Sequence, residues 1–512
     1  MGMGRISRRN FLAGAGMVAL GLRAREMLAQ PAGVPIAVRT RAGVLRGEQA
    51  VGVNVFKGVA FAAPPVGPLR FRAPEPVKSW TGERDATRFG AAAMQSNALT
   101  VAQSEDCLYL NVWAPQAKGP HPVYVWIHGG GFTGGWSFGS MFDGTELAKA
   151  GIVCITVAYR LGVFGFLDLE PALGPSYAGS ANNALRDLMA ALTWVRENVE
   201  EFGGDPERVT IGGESAGAKL TDVLLGTPTA RPLFHQAISE SGGAERVWAR
   251  AASVVVAEGY VKEWRDETGL PANALATADA AAMIAAQDTF MREWPQHFPL
   301  RVEIDGELLP VRPVETIAAG WGAGKRLLIG TNREESAAFL GPHPEHDPGA
   351  ADLGNLTLTR FDEVFAKYPK IYPEMSAEML RIRAATAEEY WVPSVRVADA
   401  ETKSGGRVWM YRLDFAETSG RLQGYAFHSL DTKLVWDKPT ATVENATAEA
   451  ILSSEMFEAW KAFIRGETPG GAGVPLWPEY NSATRATMIF DTRNHVEMQP
   501  QEAELRLWDG VL

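Results

Sequence analysis

In this chain of 512 residues, one serine stands in a setting that could make it a nucleophile. Ser215 is the centre of Gly213-Glu214-Ser215-Ala216-Gly217. An apolar run, Val209-Thr210-Ile211, precedes it, and a stretch with helical pattern from Ala218 to Leu225 follows. A strand entering a helix through Gly-x-Ser-x-Gly turns so sharply that the serine takes strained backbone angles. Side chains two residues to either side would collide, hence the glycines. The turn lifts the serine hydroxyl clear and sets the Ala216 N–H at a helix N-terminus. Taken alone, the pentapeptide also fits an ordinary Gly/Ser turn. A second feature upstream narrows the reading: His128-Gly129-Gly130-Gly131-Phe132 directly follows an apolar run. Consecutive glycines let backbone N–H groups turn inward toward a developing oxyanion. An N–H cradle followed along the chain by a hydroxyl nucleophile points to acyl transfer.

These groups need a scaffold. Val123 to His128 is a near-continuous apolar run, expected of a strand buried on both faces. Ile152 to Tyr159, Lys325 to Gly330 and Arg407 to Asp414 read as further strands, and Ser104 to Pro115 holds another. Ile36 to Gly47 roughly alternates, as a hairpin arm does. The prolines in Val55 to Phe71 predict an extended loop. Asn183 to Phe202 has helical spacing, with Leu185, Leu188, Ala191, Leu192, Val195 and Val199 on one face, and Gly203-Gly204-Asp205-Pro206 ends it. Strands alternating with helices predict an α/β architecture around a parallel sheet. No repeat or low-complexity linker divides the chain. The expectation is one large domain over 30–512, with insertions near the C-terminal edge of the sheet.

Composition bounds the partners. With 46% hydrophobic and 21% charged residues the chain is globular. A net charge of −11 argues against nucleic acid and anionic membranes as partners. Two cysteines, Cys107 and Cys154, both in apolar runs, predict buried free thiols and exclude a disulfide framework or cysteine-rich metal site. Residues 1–29 read as an address. Ser7-Arg8-Arg9-Asn10-Phe11-Leu12 opens a mild apolar run to Leu22, too short to span a bilayer, followed by Arg23, Arg25 and small residues near Ala29. This resembles a twin-arginine export signal. It predicts a precursor that meets the twin-arginine machinery, no stable membrane anchor, and a mature protein in the periplasm or beyond.

Several further segments resemble type-B carboxylesterases of the α/β-hydrolase fold, the family of bacterial p-nitrobenzyl-type esterases and cholinesterases. They are Pro64-Pro65-Val66-Gly67, Ser104 to Pro115, Trp126 to Phe132, Tyr159 to Phe166, Phe202 to Pro206, Gly212 to Ala218 and Ser239 to Gly243. The resemblance covers nearly everything after the export signal. It implies a central, mostly parallel twisted sheet flanked by helices, and a Ser-Glu-His triad in that chain order. Ser215 matches the nucleophile, and His428, in Ala426-Phe427-His428-Ser429-Leu430-Asp431, matches the base. Of the adjacent Glu334 and Glu335, Glu335 matches the acidic member. Gly130, Gly131 and Ala216 match the oxyanion hole. The family usually has glycine where Ser336 stands. Arg70 and Glu105 match a structural ion pair, and Arg160 reads as a brace. The substrate implied is a small-molecule ester, with no metal or organic cofactor.

Other residues carry open readings. Glu214 could tune His428 or polarise water, or simply support the elbow as a hydrogen-bonded carboxylate. Ser241 is a hydroxyl behind the triad or part of a turn. Phe132, Trp136 and Phe138 are candidate pocket liners, or core. Lys219 reads as a helix-surface charge. Many relatives close a loop with a disulfide ending at the Cys107 position; the matching position here is Ala93. That loop is short and lacks the tryptophan that cholinesterases set against choline, which disfavours choline esters. The same machinery would serve an amide, a carbamate or a complex, toxin-like ester. A non-catalytic esterase-like binding protein is disfavoured because Ser215, Glu335 and His428 are all present.

Overall fold

The computed structural model describes residues 33–99, 101–321, 324–340, 355–439 and 446–512. The export-signal reading of residues 1–29 lies outside them, as do His343 and His346. A thirteen-stranded sheet runs through the molecule. One edge is an antiparallel meander: Val34–Arg39 pairs with Val44–Ala50, that with Val53–Ala60, and that with Tyr109–Pro115. The centre is parallel, in the order Val153–Val157, His121–Ile127, Gly204–Glu214, Gln236–Glu240, Arg326–Asn332, Arg407–Leu413 and Thr487–Phe490. His495–Glu497 closes the far edge antiparallel. The Val55 to Phe71 segment departs from expectation. Its front, to Ala60, belongs to a strand, and only the proline-rich remainder is a loop with one 3-10 turn at Gly67–Leu69.

The central strands are buried on both faces, which is why they read as continuous apolar runs rather than alternations. The Asn183–Asn198 helix buries Leu185, Leu188, Ala191, Leu192 and Val195 and leaves Thr193, Arg196 and Glu197 to solvent. Each leucine or valine among them contributes about 1.5–3 kcal/mol on burial. The Ala216–Leu225 helix differs, since all of its residues are buried. Elements inserted after the parallel strands cover it. Among them is one long helical stretch, Ala377–Thr386 then Val392–Lys403, joined through a π-turn at Ala387–Trp391.

Two buried ion pairs brace the frame. Arg70 Nε donates to Glu105 Oε2 at 2.6 Å, and its Nη1 donates to Ala278 O at 2.7 Å. Arg160 meets Asp187 through Nε at 2.8 Å and Nη2 at 2.6 Å, and donates Nη1 to Arg72 O at 2.7 Å. Cys107 and Cys154 are both buried free thiols, and burial pushes both thiols up. In the loop before Cys107, Ala92–Ala93 pairs with Gln103–Ser104 in a short parallel ladder. Among the described residues, no helix is long and apolar enough to cross a membrane.

Candidate active site

The site forms at the carboxyl ends of the parallel strands, where register aligns the loops. Gly213 is the parallel partner of Ile127, Glu240 of Gly330, and Asn332 of Leu413. The segments that follow Ile127, Glu214, Glu240, Asn332 and Leu413 therefore leave the sheet side by side. This is where open α/β sheets place ligands.

Ser215 has φ 57° and ψ −123°, a strained conformation enforced by the strand before it and the helix after it. A Cβ on Gly217 would lie 2.0 Å from Ile127 O, and one on Gly213 2.5 Å from the same oxygen. The elbow and the neighbouring strand meet backbone to backbone, and only glycine fits. A Cβ on Gly129 would come within 3.1 Å of the Ser215 Cβ, so the glycine loop lies against the nucleophile. Gly130 and Gly131 have φ 115° and 63°, a left-handed path that glycine takes without strain. Gln95 clamps the far side of the loop: Nε2 donates to Gly135 O at 2.8 Å and Gly135 N donates to Oε1 at 3.0 Å.

His428 joins the other two residues, and it is nearly buried. Nε2 lies 2.8 Å from Ser215 Oγ and Nδ1 lies 2.7 Å from Glu335 Oε2. The other oxygen of Glu335 accepts from Ser241 Oγ at 2.5 Å and from Asn332 N at 2.7 Å. Ser241 thus donates to the carboxylate that holds His428. Glu334 points elsewhere, pairing with Arg333 and accepting from Ala426 N at 3.0 Å. Ser336 sits in the 3-10 turn Glu335–Ala338 without left-handed backbone, so a side chain is accommodated there. Phe339 and Tyr390 wall the imidazole, with ring centroids 5.0 and 4.8 Å away.

Glu214 approaches the same ring. Its Oε1 lies 3.2 Å from His428 Nε2 and accepts from Ser429 Oγ at 2.5 Å. Burial pushes the Glu214 carboxyl up to about 7, with His428 as the main opposing influence. For His428, burial favours the neutral ring, but the nearby Glu214 charge and then the Glu335 hydrogen bond outweigh it, and the pKa is raised. His128 contrasts with it. Buried against Tyr159 at 4.5 Å, it is lowered to about 4 by burial and is neutral.

One expectation needs correction, and one open reading closes. Lys219 is not a surface charge but is 3% exposed, because the elbow helix is covered on every side. Phe132 is a core side chain, 1% exposed and packed on Phe166 at 4.9 Å. Trp136 is half-buried beside Phe138 at 6.3 Å. An aromatic that does face the glycine loop went unread. A Cβ on Gly131 would meet the Phe298 ring at 2.6 Å, and Arg246 lies over that ring at 4.0 Å. No periodicity marks Phe298, which arrives from a distant insertion.

A nucleophile elbow beside a glycine loop, at the carboxyl ends of this sheet, defines an α/β-hydrolase. Residues 35–508 match the model described as the carboxylesterase family. The chain is 36% identical over 482 residues to the para-nitrobenzyl esterase of Bacillus subtilis (strain 168), covering 91% of this chain and 96% of that one. It is 31% identical to the fumonisin B1 esterase of Sphingopyxis macrogoltabida, covering 90% and 87%. Among solved structures, a PNB esterase superposes with a TM-score of 0.81 at 34% identity, covering 92% and 99%. The carboxylesterase EST55 of Geobacillus stearothermophilus matches with the same TM-score, identity and coverage. The chain belongs to the carboxylesterase family and is a serine hydrolase of carboxylic esters.

Proposed function

We propose that this enzyme hydrolyses its ester through Ser215, His428 and Glu335 by way of an acyl-enzyme. The observation that carries the reading is the bridging position of His428, with one ring nitrogen on Ser215 Oγ and the other on Glu335. Ser215 attacks the carbonyl as His428 Nε2 takes its proton, and His428 then returns that proton to the leaving alcohol. Glu335 holds the Nδ1–H tautomer and stabilises the imidazolium. The N–H groups of Gly130, Gly131 and Ala216 receive the oxyanion, each worth about 3–4 kcal/mol of transition-state stabilisation. Water then repeats the attack on the acyl-enzyme, and no step calls for a cofactor.

Stopped-flow hydrolysis of p-nitrophenyl acetate, butyrate and octanoate tests this. The expected result is a burst of p-nitrophenol near one equivalent where deacylation is slower than acylation, with fluorophosphonate labelling mapped to Ser215. Labelling at a different serine would overturn the reading. The chain-length profile sizes the acyl pocket. Likeness to a fumonisin B1 esterase supports a second substrate reading, a complex toxin-like ester. A preference for fumonisin B1 over simple p-nitrophenyl esters would favour it. Export of the precursor through the twin-arginine route is likewise proposed, from residues 1–29 alone. Replacing Arg8 and Arg9 by lysine should retain the precursor inside the producing cell.

Glu214 shapes the pH dependence. Its carboxylate favours the charged imidazole, so its removal lowers the His428 pKa. The reaction needs the neutral ring. Glu214→Gln should therefore move the acid limb of kcat/KM to lower pH while reducing the plateau, since imidazolium formation in the transition state loses support. A pH–rate profile reads both; an acid limb that stays in place or moves upward would rule out this role.

A further inference from the structure

The chemistry above leaves a buried ammonium beside the nucleophile without a role. Lys219 lies one helical turn beyond Ser215, and its backbone N–H donates to Ser215 O at 2.9 Å. A buried ammonium must place all three of its donors. Here Nζ donates to Gly242 O at 2.9 Å and to Glu389 O at 3.1 Å, and pairs with the Glu389 carboxylate at 3.0 Å. The same carboxylate also takes Arg246. Nζ stands 4.7 Å from the centroid of the Tyr390 ring, and that ring also packs against the His428 imidazole at 4.8 Å.

The acceptors belong to two separate segments, and Lys219 to a third. Gly242 follows Ser241, whose hydroxyl holds Glu335. Glu389 and Tyr390 are consecutive in the π-turn Ala387–Trp391 and are both buried. A widened turn of this kind inserts a residue into a helix and recurs at functional sites. Lys219 itself rides on the helix whose first turn begins at Ser215. We infer that Lys219 is a positioning residue for ester hydrolysis. Its ammonium fixes the spacing between the segment that carries Ser215, the Ser241 clamp on Glu335, and the Tyr390 wall of His428. The inference rests on the triad reading above. An apolar side chain of equal length would leave Gly242 O and Glu389 O without this donor. Arginine would bring a planar fork where three diverging donors are required.

The test compares the whole protein with Lys219→Met, Lys219→Arg, Tyr390→Leu and the double variant Lys219→Met/Tyr390→Leu. Active sites are counted by fluorophosphonate titration, and kcat is expressed per titrated site, so that loss of folded protein does not enter. In Lys219→Met, kcat per site should fall about ten- to a hundredfold, the scale of a displacement of roughly 1 Å at reacting groups, with KM changed little. Tyr390→Leu should show a similar loss. The double variant should be no worse than the poorer single, because both changes interrupt one path. A kcat per site equal to the parent's in Lys219→Met, whatever its Tm, would overturn the inference, as would losses that multiply in the double variant. If Lys219→Met does not accumulate as folded protein, Lys219→Arg decides: it keeps the charge, and a parental kcat per site would overturn the inference equally. A parent enzyme that is not labelled at Ser215 would overturn the triad reading itself, so the two failures separate at the first measurement.

Discussion

Replacing Ser215 by alanine is expected to lower kcat/KM for p-nitrophenyl butyrate by about 10⁴- to 10⁶-fold while leaving Tm close to the parent's. The two effects separate because of what the hydroxyl does. It makes no capping hydrogen bond to the helix that starts beside it, and its recorded partner is His428 Nε2. Alanine meets the same backbone strain at φ 57° as serine, so the elbow keeps its shape. What remains is substrate held against the glycine loop and an imidazole that can still activate water. Such remnants give about 10³–10⁴ over the uncatalysed reaction. Steady-state kinetics at matched concentrations of folded protein measures the loss, and a decrease below about tenfold would remove Ser215 from the mechanism.

Glu335→Gln should cost about 10⁴-fold in kcat, whereas Glu334→Gln should retain near-normal turnover. The asymmetry follows from the donors around Glu335. Oε1 receives two of them, the Ser241 hydroxyl and the Asn332 N–H. A glutamine can satisfy both only by placing its carbonyl oxygen there. Its NH₂ then faces His428 Nδ1, which must accept instead of donate. The ring proton moves to Nε2, and the nitrogen facing Ser215 can no longer take a proton. Glu334 makes its contacts with Arg333 and the Ala426 N–H, on the loop leading to His428 but away from the ring. Near-normal turnover in Glu335→Gln together with loss in Glu334→Gln would reverse the assignment.

The frame and the elbow that carries Ser215 were legible because their signals are local. A strand buried on both faces writes an apolar run, and an elbow with backbone at van der Waals contact writes its glycines at fixed offsets. The choice of Glu335 over Glu334, and of His428 among eight histidines, came from resemblance. Spacing could not supply it, since contacts between Ser215, Glu335 and His428 form only once three strand ends are side by side. Lys219 was misread for a related reason. Helical periodicity separates a buried face from an exposed one, and the Ala216–Leu225 helix has no exposed face. Phe298 and Tyr390 left no trace, because what they touch lies in the glycine loop and around His428, far along the chain.

The sealed thiols have a practical meaning. Cys107 and Cys154 sit in the core, with burial holding both sulfurs in the protonated, unreactive form. The loop before Cys107 is held by backbone pairing between Ala92–Ala93 and Gln103–Ser104. No covalent bond in the described fold therefore depends on an oxidant, and no thiol is offered to one. The folded enzyme is indifferent to the redox poise of its surroundings. It should keep its activity in dithiothreitol and in oxidised glutathione alike, and a single cysteine introduced at the surface would be its one site for selective labelling.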